Sequence, residues 1–185
     1  MPQSYLINPP LSDDDIEKFH AGDVLLISGV IYTARDSAHK RLVAMMDAGD
    51  QLPVDFKGQI IYYVGPTPAP PGKPIGSAGP TTSSRMDPYT PKILELGVKA
   101  LIGKGGRSGT VKEALVKNKA VYCSAIGGAG AILGKKVIDA QVVAFEELGA
   151  EAIYKLEVKD FPCIVVNDIY GNDLYEKGVS SYKRI

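Results

Sequence analysis

Cysteine and histidine are scarce in this chain of 185 residues, which has two of each: Cys123 and Cys163, His20 and His39. The cysteines show no C-x-x-C spacing, and four scattered candidates form no recognisable zinc or iron–sulfur motif. The sequence therefore predicts no metal site of its own. Both thiols lie in apolar runs, AVYCSAI and FPCIVV, where buried and inert cysteines are expected. Net charge is also missing: 21 basic side chains offset 21 acidic ones. A general nucleic-acid binder carries a strongly basic footprint, so that role is disfavoured. No apolar run approaches the ~20 residues needed to span a bilayer. The opening MPQSYLINPP has neither a basic nor an apolar leader region, which predicts a cytoplasmic chain without a secretory signal.

What is present reads as an ordinary globular composition, 45% hydrophobic and 23% charged. A chain this long buries about two-thirds of its unfolded surface and needs no disulfide or metal staple. The expectation is one domain over residues 1–185. LSDDDIEKFHAGD predicts a short helix capped by Ser12, its aspartates complementing the helix dipole, with Gly22 at its stop. DVLLISGVIYTA predicts a buried strand, and SAHKRLVAMMDAG a helix capped by Asp36 and ended by Gly49. GQIIYYVG predicts another strand. Residues 65–80 hold six of the thirteen prolines and admit neither a helix nor a central strand.

Asp87–Pro88 predicts a helix start, N-cap followed by proline. VKALIGKGG and AVYCSAIGG predict strands that run into glycine turns. Between them TVKEALVKNK predicts a helix with Thr110 and Glu113 at capping-box spacing. AGAILGKKV predicts one further short helix. In the tail, IDAQVVAF, EAIYKLEVKD and FPCIVVNDIYGNDLYEKG predict strands, with a hairpin turn near Gly171 and Asn172. The fold class is α/β, a mixed sheet with flanking helices and a β-rich tail folded back onto it.

Three strand-to-loop junctions carry cations beside small residues: GVIYTARD with Arg35, GPTTSSRMD with Arg85, and GKGGRSG with Lys104 and Arg107. In α/β sheets ligands collect at the carboxyl ends of strands. Cations converging there suit a small multiply charged anion, because arginine grips a carboxylate or phosphate through two parallel hydrogen bonds. Plainer readings stand beside this one. Arg35 pairs with Asp36 in one of them, and Thr81 and Thr82 satisfy turn backbone in another. GKGGRSG lacks the full phosphate-loop signature, so nucleotide binding has no support. Threonine is a poor base, but a flanking guanidinium in a dry site lowers the cost of its ionisation.

The blocks GVIYTARDSAHKR, GKPIGSAGPTTSSRMDPYTPKILELG, IGKGGRSGTV, YCSAIGGAGAIL and LGAEAIYKLEVKDFPCIVVNDIYGNDLY occur here in the same order as in class I fumarases. From about Gly22 onward the chain resembles the β subunit, or C-terminal domain, of that family, and the L-tartrate dehydratase β subunit shares the pattern. The resemblance implies a single swivelling β/β/α-type domain that closes over an α subunit, in an assembly such as α2β2. It implies a hydro-lyase that hydrates fumarate reversibly to L-malate, with a 4Fe–4S cluster held by the α subunit and none by this chain. Position by position, it makes Thr81 the base and Arg35, Arg85 and Lys104 the substrate-binding cations. Many members read TTAGRMD where this chain has TTSSRMD, and the hydroxyl of Ser84 is expected to tighten the loop. The open alternatives are an L-tartrate dehydratase β subunit and a dicarboxylate-binding module without chemistry.

Overall fold

VLLISGVIYT, apolar and rich in β-branched side chains, forms a ten-residue strand from Val24 to Thr33. Around it a computed structural model describes residues 2–183, with strands β1 (Ser4–Ile7), β2 (Val24–Thr33), β3 (Ile60–Tyr62), β4 (Ala100–Gly103), β5 (Val121–Ser124), β6 (Val137–Ala144) and β7 (Ile153–Asn167). The helices are α1 (Asp13–Ile16), α2 (Asp36–Ala48), α3 (Thr90–Leu94), α4 (Gly109–Lys117), α5 (Gly130–Gly134) and α6 (Leu174–Tyr182). β1 to β5 lie side by side and parallel. β7 then pairs antiparallel with β5 and also with β2, so the pairing closes a circuit β2–β3–β4–β5–β7–β2. β6 lies antiparallel against β7.

Alternation along the parallel strands feeds two cores. Tyr62, Ile102 and Cys123 point into the core enclosed by the circuit, with Ile27, Phe161 and Val165. Their neighbours Tyr63, Leu101 and Tyr122 point the other way, against Leu42 of α2, Ile93 of α3 and Leu115 of α4. The molecule is thus a mixed sheet with helices packed on the outer face of its parallel strands, as the sequence predicts. Cys123 and Cys163 are both free and buried. The contact with Cys163, and then burial, pushes the Cys123 thiol well above its ordinary range.

Several expected boundaries are corrected. Ser12 does cap α1, in a reciprocal box with Asp15, but α1 stops at Ile16 rather than at Gly22. Gly49 closes α2 in the left-handed conformation, whereas the N-cap is Arg35 and Asp36 is the first helical residue. No helix starts at Asp87–Pro88. A 3-10 turn, Ser83–Met86, occupies the approach, and α3 begins at Thr90. The Asp87 carboxylate instead accepts from Arg107 Nε at 2.7 Å and from the Ser108 backbone at 2.8 Å. Ser108, not Thr110, caps α4. The two strands expected on either side of Asp160 are one strand, β7, with a bulge opposite Ser28 and Asp160 at a φ of 48°. The segment expected as a final hairpin is a turn followed by α6, whose cap Asp173 accepts from the backbone of Tyr175 and Glu176. The four-residue β1, SYLI, has no counterpart among the expected elements.

Candidate functional site

Three parallel strands end on one rim of the sheet. β2 runs out into Ala34 and Arg35, β3 into Tyr63 and Gly65, and β4 into Lys104 and the glycines after it. The loop GSAGPTTSSRMD enters between the ends of β3 and β4. The Thr81 backbone donates to the Tyr63 carbonyl at 2.7 Å, and Lys104 donates to the Thr81 carbonyl at 3.2 Å. Ser83 then donates to the Lys104 carbonyl at 2.9 Å, and Thr82 forms a parallel bridge with Lys104. Thr81 and Lys104 are therefore held together by backbone, as if the loop were a short extra strand. Gly103 makes room for this: a Cβ there would collide with the Ser83 hydroxyl and approach Tyr63 Cδ2 to 2.9 Å.

Among the described residues the Thr81 and Thr82 hydroxyls make no hydrogen bond, so neither serves as turn scaffolding. Thr81 is half-buried and Thr82 exposed. Lys104 is exposed and forms no ion pair among these residues. The hydroxyl that ties the loop down is Ser83, not Ser84: Ser83 is buried against the Tyr122 hydroxyl at 2.9 Å, while Ser84 is exposed.

Arg35 and Arg85 meet at one carboxylate. Arg85 Nε donates to Asp36 Oδ1 at 2.7 Å, and Arg35 Nε lies 3.8 Å from Asp36 Oδ2. Arg35 also pairs with Glu151 at 3.3 Å. Burial works to raise the Glu151 carboxyl, but the Ser37 backbone hydrogen bond and the Arg35 charge outweigh it and hold the group below its ordinary value. Three cations and two carboxylates on this rim leave a net positive charge for an arriving anion.

Arg107, a cation candidate by its spacing, belongs to a different layer. Its side chain is fully buried and ion-paired with Asp87. It donates to the Thr90 hydroxyl at 2.7 Å and lies over the rings of Tyr63 and Tyr122. Burial opposes its charge, yet Tyr63 and Asp87 more than compensate and raise its pKa. Arg107 supports the rim from below. The pairing of Arg35 with Asp36 was one of the plainer readings of TARD, and the two do lie together, whereas the sequence marked neither Glu151 nor Asp87 as partners of these arginines.

Cations and an unengaged hydroxyl gather at the carboxyl edge of the parallel strands of an α/β protein, the edge where ligands of such sheets collect. Residues 4–178 match the family described as "Fumarase C-terminus", and the chain belongs to that family. It is 42% identical to "Fumarate hydratase 2" of Leishmania major over 88% of this chain and 29% of that protein. It is 38% identical to "Fumarate hydratase class I, anaerobic" of Escherichia coli (strain K12), over 94% of this chain and 32% of that protein. With "Putative L(+)-tartrate dehydratase subunit beta" of Methanocaldococcus jannaschii it shares 37% identity, over 90% of this chain and 89% of that one. The chain thus spans about a third of the length of the fumarate hydratases it matches. The match begins at residue 4, so β1 and α1, ahead of Gly22, belong to the shared unit. Among the described residues no group of three or more His, Cys, Asp or Glu side chains is placed to hold a metal ion, and no helix is long and apolar enough to cross a membrane.

Proposed function

We propose that this chain is the β subunit of a two-chain class I fumarate hydratase, a cytoplasmic hydro-lyase that interconverts fumarate and L-malate. The observation that carries the reading is the shared rim. Thr81, Arg85 and Lys104 sit on one backbone-bonded loop and strand end, and Arg35 joins them through Asp36. Fumarate and malate are dianions at neutral pH, and one cation cannot reach both ends of either. Arg35, Arg85 and Lys104 divide that work. When malate is dehydrated, the ionised Thr81 Oγ1 takes the proton from the carbon next to the hydroxyl-bearing carbon as the C–O bond breaks and the hydroxyl leaves to become water. On hydration the Thr81 hydroxyl returns its proton to that carbon as water adds its oxygen to the neighbouring one. Nearby guanidinium charge and exclusion of water lower the cost of ionising the hydroxyl.

The 4Fe–4S cluster implied by the family resemblance does not fit this chain. Cys123 and Cys163 are buried inside the enclosed core, so we assign the cluster to the α subunit proposed as partner, in an assembly such as α2β2. A second reading, the β subunit of an L-tartrate dehydratase, is favoured by the match along 89% of the Methanocaldococcus subunit. Co-expression with a cluster-bearing α subunit, anaerobic purification and assay with fumarate, L-malate and L-tartrate separates the two. Fumarate and malate are expected to turn over faster than L-tartrate. The opposite preference would establish the tartrate reading, and binding without turnover of any of the three would leave only a dicarboxylate-binding module.

A further inference from the structure

Asp36 stands between two arginines, hydrogen-bonded to one and only near the other. Its Oδ1 takes the Nε edge of Arg85, and among the described residues no protein group takes the two Nη nitrogens of that guanidinium. Occupying the Nε edge leaves the Nη pair as a fork able to take a carboxylate through two parallel hydrogen bonds. Toward Arg35 the geometry differs. Arg35 Nε and Asp36 Oδ2 are both buried without a hydrogen-bond partner and lie 3.8 Å apart, beyond hydrogen-bond range. Closing that gap would satisfy both atoms at once. The second anchor of Arg35, Glu151, is itself tied to the backbone of Ser37, one residue past Asp36. The first turn of α2 is therefore the fixed point for both guanidiniums.

We infer that Asp36 is a positioning residue that sets the direction and separation of Arg35 and Arg85 for a two-carboxylate ligand. The inference rests on the reading of this rim as a dicarboxylate site. Stability does not explain the contact, since the Arg85 side chain is half exposed and such pairs contribute little to folding. Charge alone predicts the wrong sign. Removing Asp36 leaves the rim more positive, and a simple Coulomb argument then gives tighter binding of a dianion. Positioning gives weaker binding.

The test uses the assembled αβ enzyme, with Asp36→Ala, Asp36→Asn, Asp36→Glu and Arg85→Ala side by side. Asp36→Ala is expected to raise KM for the dicarboxylate about 10- to 100-fold with kcat changed less than about threefold, a loss of ground-state grip. Inhibition constants for succinate and propionate add a readout that a lowered active fraction cannot move. Their ratio should shrink in Asp36→Ala, because the second carboxylate no longer gains a directed fork. Asp36→Glu should restore part of that ratio, and Asp36→Asn, closest in shape, covers the case in which Asp36→Ala does not fold. An unchanged or lowered KM in the Asp36 variants, beside a large rise in Arg85→Ala, would overturn the inference alone. No effect in Arg85→Ala would overturn the dicarboxylate reading of the rim, and the inference with it.

Discussion

At the scale of single residues, the rim sets the half-buried Thr81 hydroxyl near a buried imidazole one turn into α2. His39 is fully buried, and its Nδ1 lies 2.8 Å from the Arg35 carbonyl. A carbonyl can only accept, so Nδ1 carries a proton, and Nε2 is buried and unpartnered. Burial, and to a lesser degree the Arg107 charge, lowers its pKa from 6.5 to about 4; the Arg35 carbonyl and Asp36 pull the other way. The folded state therefore takes up this proton later than the unfolded state does as pH falls. The resulting stabilisation is complete above pH 6.5 and drains away between 6.5 and 4, about 3 kcal/mol at most. Urea denaturation from pH 7.5 to 4.5 should show this fall in the wild type and a flatter profile in His39→Gln. A wild-type profile already flat over that range would refute the assignment. Thr81 makes the sharper chemical prediction. In the assembled enzyme Thr81→Val should lower kcat about 10²- to 10⁴-fold, the usual range for a lost general acid–base group, with KM little changed. Thr82→Val, on an exposed hydroxyl, should do far less. Steady-state kinetics with the two results exchanged would move the base one residue on.

At the scale of elements, the rim depends on how the Thr81–Ser83 segment seats on β4. Gly103→Ala should unseat it, since the new methyl meets the Ser83 hydroxyl and the Tyr63 ring. Overpacking of this kind costs about 1–3 kcal/mol, and the displaced loop should cost activity as well. Adding Ser83→Ala removes the colliding oxygen and should recover part of the stability, a coupling that a double-mutant cycle in urea measures. Strictly additive losses would mean that the glycine is not there for close approach. The same elements show what the sequence discloses. β2, β3, β4, β5 and the Gly49 stop follow from apolar runs and glycine placement, which are local signals. Asp36 and Asp87 each look like helix caps, yet the fold brings Arg85 and Arg107 to them from 49 and 20 positions away in the chain. A charged hydrogen bond with a buried guanidinium outweighs a cap bond of about 1 kcal/mol, so Asp87 is drawn to Arg107. Arg35 and Lys104 were legible because each follows an apolar strand, and Arg85 because it stands in the hydroxyl-rich loop GPTTSSRMD. Glu151 was not, because nothing near it in the sequence announces Arg35. NDLYEKG reads as a strand by its spaced Tyr and Leu, but Asp173 accepts from the backbone amides of Tyr175 and Glu176 and pairs with Lys112, which commits it to α6.

At the scale of the whole molecule, the chain has its own core, and the proposed function gives it only part of a catalytic centre. Expressed alone it should be folded, colourless and without turnover of fumarate. Anaerobic reconstitution with iron and sulfide, followed by visible spectroscopy, checks this. A stoichiometric brown chromophore on this chain alone would contradict the division of labour between two subunits. The closed circuit has a further consequence, for the order in which the molecule comes into being. β7 is the last strand made, yet it completes the pairing of β2, joining Ile164 to Val24 across most of the chain. While a ribosome is still adding residues 150 onward, β2 and β5 each present an open edge, and the inner core has no lid. Contacts so distant in sequence form slowly, and open strand edges recruit wrong partners in the meantime. The enclosed core is therefore complete only once β7 has been made, and the chain should be most prone to aggregate in the interval before that.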